Sequence, residues 1–155
     1  ALDAAGTAAG NTIGFTNTGS LGFSGSGART LTLTGTNTGT NTLAAVLGDS
    51  GGATALTKTA AGTWLVSATN TYTGTTTLTA GTLTAGHDNA FGTGTLSLNG
   101  GTLTANATRT LANTVSLDAN STIGGTQAIT FGGTLIYTKG KIAREAGREV
   151  FYLLI

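Results

Sequence analysis

The sequence contains no cysteine, no methionine, a single histidine and a single tryptophan, and only 8% of its 155 residues are charged. Each shortage removes a class of function. Without thiols there is no disulfide scaffold and no thiolate metal site. One histidine with no cysteine leaves too few ligands for a transition metal, and the sequence implies no cofactor. Between Thr59 and Thr138 the only formal charges are Asp88, Arg109 and Asp118. A polyanion is held by clustered Lys and Arg that displace its counterions, so nucleic acid is not an expected partner. No run of about 18 apolar residues occurs, so no segment is expected to cross a membrane as a helix. The lack of methionine reads as that of a processed product or an excerpt of something longer. Ala1 suits the residue that follows a signal-peptidase cut, and the avoidance of cysteine fits an exported protein.

What the chain does contain is threonine and glycine, 36 and 26 residues respectively. Threonine is β-branched and stiff, which suits a pleated surface. Glycine reaches positive φ and so supplies tight turns. With a hydrophobic fraction of 39% and a net charge of only +1, the composition is not that of a disordered chain. It predicts many short strands joined by tight turns.

The strands repeat. Gly62-Thr63-Trp64-Leu65, Gly81-Thr82-Leu83-Thr84-Ala85 and Gly101-Thr102-Leu103-Thr104-Ala105 are copies of one motif, with Gly125-Thr126 a weaker fourth. The leading glycines, Gly62, Gly81, Gly101 and Gly125, recur at a nearly regular interval. A period of about 20 residues is that of solenoid coils. Within each period apolar and hydroxyl residues alternate, which places one set on each face of a strand. The pattern predicts that Leu78, Leu83, Leu96, Leu98, Leu103, Val115, Leu117, Ile129 and Phe131 point inward. Before Gly62 the grammar is looser. The pairs Ile13/Phe15, Leu21/Phe23 and Leu31/Leu33 predict further strands, and Asn-Thr-Gly and Gly-Thr-Asn-Thr each recur there. Leu43 to Leu47 reads as an apolar stretch that leaves the coil as a loop or helical turn. At about 20 residues per coil the chain makes about seven coils, a rod of about 35 Å.

The end of the chain breaks this composition. Threonine stops at Thr138, and residues 139–155 hold four of the seven basic residues and both glutamates. This divides the chain into a solenoid over 1–138 and a tail over 139–155. Lys141 to Glu149 is helix-favouring, with Lys141/Glu145 and Glu145/Arg148 spaced to pair along one face. Val150, Phe151, Tyr152, Leu153, Leu154 and Ile155 then form a wholly apolar run, an aggregation hazard unless buried. These six are the candidate assembly residues, serving as a cap on the last coil or as a contact with another subunit.

Thr57-Lys58-Thr59-Ala60-Ala61-Gly62-Thr63-Trp64, followed by Asn70-Thr71-Tyr72-Thr73-Gly74-Thr75-Thr76-Thr77 and Ala80-Gly81-Thr82-Leu83, resembles the autotransporter-associated β-strand repeat of bacterial passenger domains. The family pattern has glycine where this chain has Ala60, and leucine where Asp88-Asn89-Ala90-Phe91-Gly92 has Phe91. The match is clear from Leu43 to Asn106 and looser to Leu135. It implies a right-handed parallel β-helix, secreted and displayed at a bacterial cell surface, with no particular activity. The tail matches nothing in the pattern.

Candidate chemistry is sparse. His87-Asp88-Asn89 is the one histidine beside an acid, as in a general-base or metal pair, and it reads more simply as a turn with local hydrogen bonds. Asp3, Asp49, Asp88 and Asp118 are spaced too unevenly along the chain to share a coil register, so they give no carboxylate pair of the kind that cleaves glycosides. Trp64 and Tyr72 have rings suited to stacking on sugar, but sit where the repeat wants bulk for packing. Asn106-Ala107-Thr108 and Asn120-Ser121-Thr122 fit a glycosylation sequon by composition alone. The expectation is therefore a non-catalytic structural solenoid. It serves as a self-assembling fibre subunit or as a stalk segment of a longer surface protein, joined to itself or to neighbouring coils. Low surface charge favours the former. A carbohydrate-binding or carbohydrate-cleaving β-helix is the alternative.

Overall fold

Alternating Thr-Leu-Thr and Leu-Ser-Leu triplets extend because β-branched side chains crowd a helix but fit a pleat. Glycine then turns the chain after a few residues. The computed structural model describes residues 1–139 and 142–144, the last three as backbone only. Among the described residues there is no helix, and successive coils stack as a parallel β-solenoid.

Two seven-stranded sheets form its walls. The first holds β1 (Leu2–Asp3), β3 (Arg29–Thr34), β5 (Thr54–Lys58), β7 (Thr76–Leu78), β9 (Leu96–Leu98), β12 (Val115–Leu117) and β15 (Leu135–Tyr137). The second holds β2 (Gly14–Phe15), β4 (Thr40–Leu43), β6 (Thr63–Val66), β8 (Thr82–Ala85), β10 (Thr102–Ala105), β13 (Ser121–Ile123) and β16 (Ile142–Arg144). Two further strands, β11 (Arg109–Leu111) and β14 (Ile129–Phe131), pair at a corner.

The register stacks like on like. In the first sheet one column runs Leu33, Lys58, Leu78, Leu98, Leu117. In the second, Trp64, Leu83 and Leu103 stack beside Val66, Ala85 and Ala105. All of these side chains are buried. Each buried leucine is worth about 1.5–3 kcal/mol. The outward column of the second sheet is Thr40, Thr63, Thr82, Thr102, Thr122. Neighbours in such a column cover one another, and Thr84 and Thr104 join hydroxyl to hydroxyl at 2.8 Å.

Several expectations need correction. About five turns close around a filled core rather than seven. Beyond them the end rungs are thin, because among the described residues each has a stacked neighbour on one side only. Leu78, Leu83, Leu96, Leu98, Leu103, Val115 and Leu117 are buried as expected, whereas Ile129 and Phe131 are only partly buried. These two lie on β14, the outer strand of its two-stranded sheet. Leu43 to Leu47 does not leave the coil. Leu43, Ala45 and Leu47 are buried on alternate positions, a strand-like pattern that continues past β4. Leu21 and Phe23 pack against the core without forming a strand, since Gly19, Gly22, Gly25 and Gly27 around them weaken any ladder. Within the stretch expected to favour helix, Ile142–Arg144 instead pairs with β13 as a strand, an available edge deciding against intrinsic propensity.

The turn after β5 holds the one non-glycine residue at positive φ among the described residues. This is Ala60, at 56°, at the position where the resembled repeat carries glycine. An alanine in this left-handed region costs about 1–2 kcal/mol. Ala60→Gly is therefore expected to raise the unfolding free energy by about 1 kcal/mol, net of the entropy glycine adds to the unfolded chain. Urea unfolding followed by circular dichroism measures it, and an unchanged or lowered midpoint contradicts the assignment of strain.

Candidate functional site

The chemically capable side chains fall into two groups, one sealed between coils and one at the corners. Lys58 is the most unusual member of the first. Its Cα sits in a leucine column and its side chain is fully buried. The ammonium donates to the carbonyls of Thr59 at 2.6 Å, Ala60 at 2.7 Å and Ala80 at 3.1 Å. Burial pushes its pKa down to about 8, which leaves the group charged at neutral pH.

Buried asparagines bind coil to coil. The Asn70 carbonyl accepts the Leu47 N–H of the preceding coil, and its amide donates to Ala90 of the following one. Asn41 accepts from Ile13 and donates to Gly39 and Thr63. Asn37 reaches the carbonyls of Gly6, Ala8 and Asn11, and Asn113 those of Phe91, Gly92 and Gly94. Composition gave no warning of this role. The available signal was the doubled Gly-Thr-Asn-Thr, which contains Asn37 and Asn41.

Trp64 and Tyr72 are fully buried, so neither offers a platform for sugar. The indole N–H donates to the Thr34 carbonyl at 3.0 Å. The Tyr72 hydroxyl bonds to Thr76 Oγ1, and burial holds its phenol well above the usual tyrosine pKa.

At the corners three acids fasten turns, whereas Asp3 lies in β1. Asp49 accepts the Thr54 N–H at 2.7 Å and the Thr73 hydroxyl at 2.7 Å, bridging successive coils. Asp118 accepts the hydroxyls of Ser97, Ser116 and Thr138 at 2.6, 2.8 and 2.9 Å. These bonds favour the ionised form. The Thr73 hydroxyl and then the Thr54 N–H hold Asp49 below its usual pKa, and the Ser97 and then Ser116 hydroxyls do the same for Asp118. Asp88 accepts the Thr110 N–H and lies 3.9 Å from Arg109, which also bonds Asn106 of the first sequon. His87 Nδ1 accepts the Asn89 N–H, so Nε2 carries the proton and meets Thr69 Oγ1 at 3.2 Å.

The fold does not gather these groups. Among the described residues no three of His, Cys, Asp and Glu come together around a point where a metal would sit. His87 and Asp88 are neighbours in sequence, but their polar atoms engage different coils. Asn120, of the second sequon, is exposed. The assembly candidates Val150 to Ile155 lie outside the described residues.

Both kinds of bond have a measurable effect on stability. Asn70→Ala leaves a buried N–H and a buried C=O without partners and is expected to cost about 2–4 kcal/mol in urea unfolding. Asp49 and Asp118 have folded pKa values below the ordinary 3.8. Their contribution is therefore present above about pH 4 and is lost as pH falls through the folded values. In melts from about pH 5 down to about pH 2.5, the wild-type protein should lose stability more steeply than an Asp49→Asn, Asp118→Asn double variant. Parallel curves contradict the linkage.

Comparison of the chain with family models, with curated proteins and with solved structures found no match in any of the three.

Proposed function

We propose that the chain is a structural, non-catalytic rod segment of an extracellular or surface-displayed bacterial protein, of the autotransporter-passenger kind that its repeats resemble. The rod is joined at its ends, to neighbouring coils in a longer stalk or to a second copy in a fibre. The observation that carries this reading is where apolar surface is left uncovered. Among the described residues the exposed large hydrophobics are Phe15, Leu135, Ile136 and Tyr137. They lie on the first and last rungs alone, in β2 and β15. The walls between present columns of threonine and serine with few charges. Such a rod meets water comfortably along its sides and poorly at its ends, where edge strands also offer unpaired N–H and C=O groups.

Asp49, Asp88, Asp118 and His87 support a structural role, because each is engaged in bonds that hold one turn to another. Turnover of any polysaccharide, lost on His87→Ala or Asp88→Ala, would overturn the non-catalytic part of the proposal.

The apolar segment Val150–Ile155 is proposed to take part in the joining. Because β16 extends the second sheet to Arg144, the informative truncation removes residues 145–155. Light scattering and electron microscopy should find the full chain associating end to end, and the truncated chain folded but less associated. A melting temperature lowered equally at every protein concentration would instead make the segment a cap on its own rod. Unchanged stability and unchanged association would remove it from both roles.

A further inference from the structure

Three backbone carbonyls surround the Lys58 ammonium. Nζ is the one donor that reaches Thr59 O, Ala60 O and Ala80 O among the described residues. Two of the oxygens come from the turn that follows β5 and the third from the next coil. Their negative ends converge on one point inside the wall of the rod, an arrangement that repels itself when empty. The backbone is shaped around that point. Ala60 adopts its left-handed conformation beside it, and a Cβ on Gly81, at φ +69°, would come within 2.6 Å of Nζ. No carboxylate pairs with Lys58 among the described residues, so the charge is balanced by carbonyl dipoles alone. Carbonyl-only cages replace the hydration shell of monovalent ions, whereas tightly bound divalent ions call for carboxylates.

We infer that the carbonyls of Thr59, Ala60 and Ala80 form a binding site for a monovalent cation, filled here by the chain's own primary ammonium group. The lysine is then a tethered ligand as well as a piece of the core. Its four-carbon arm replaces a leucine in the column, and its head ties one coil to the next. A free cation of similar size and hydrogen-bonding capacity, ammonium above all, is the ligand the site would take if the tether were cut.

Chemical rescue tests this. Lys58→Ala removes the tethered group and leaves the cage, and its melting temperature is expected to fall below that of the wild type. Added ammonium chloride should raise it in a saturable way. Choline chloride at the same ionic strength should not, because its methylated nitrogen neither fits nor donates. The wild-type protein, measured in both salts, removes the general salt effect. If Lys58→Ala does not fold unaided, it is refolded from denaturant in each salt, and a higher folded yield in ammonium supports the site. Equal responses to the two salts, in melting or in refolding, overturn it. Lys58→Met keeps the length of the arm without the charge. It should melt below the wild type and gain nothing specific from ammonium. A Lys58→Met variant as stable as the wild type would show that the cage needs no cation, and would overturn the inference independently.

Discussion

No coil of this chain can bury its own apolar face. A short strand carries two inward side chains, and what covers them is the same pair on the coils above and below, in parallel register. Everything else follows from that stacking. It explains why apolar residues, leucine above all, recur in the inward columns, and why threonine, whose methyl and hydroxyl suit crowded columns, fills the opposite face. It also explains why burial fails at the ends. Leu117 is almost fully buried, while Tyr137, next in the same column, is half exposed. The chemistry of the two positions is similar, and the difference is that no further strand stacks on Tyr137 among the described residues.

Stacking is also why the fold was legible from sequence in the middle of the chain and less so elsewhere. From Leu78 to Leu117 the period-2 alternation and the recurring Gly-Thr-Leu-Thr-Ala motif report position and orientation together, because each strand is surrounded by copies of itself. Ile129 and Phe131 carry the same alternation but lie at the margin, and alternation does not reveal how many neighbours a strand will have. Leu43 to Leu47 misled in the opposite way. An apolar run without alternating hydroxyls reads as a loop or helical turn. Here the intervening Ala44 and Val46 take the outward positions, and the amide of Leu47 is satisfied by the side chain of Asn70 rather than by a regular ladder.

The polar residues were legible as chemistry but not as structure. Asp49, Asp88, Asp118 and His87 stand out in a chain with so few ionisable groups, yet each is drawn to the backbone N–H or hydroxyl of a neighbouring coil, a partner that lies a full coil away along the sequence. Lys58 was visible only as one letter of a repeat motif. Nothing in a Thr-Lys-Thr triplet says that the lysine points inward, because that depends on its register between Leu33 and Leu78. The three carbonyls that receive it include two from a turn whose left-handed residue is an alanine.

Self-similarity creates a problem that the buried polar groups solve. Leucine columns alone hardly distinguish one coil from the next, so a slip by a whole coil would leave most apolar contacts in place. Such a slip does not preserve the bonds of Asn37, Asn41, Asn70 and Asn113, each of which reaches particular carbonyls on a neighbouring coil. The cage around Lys58 is preserved only in part, since the carbonyls of Thr59 and Ala60 move with the lysine while that of Ala80, on the next coil, is exchanged for another. Each polar bond lost from a buried group carries a desolvation cost that an apolar contact does not return. Apolar stacking therefore supplies the cohesion of the rod, and the few buried polar side chains determine which coil lies on which.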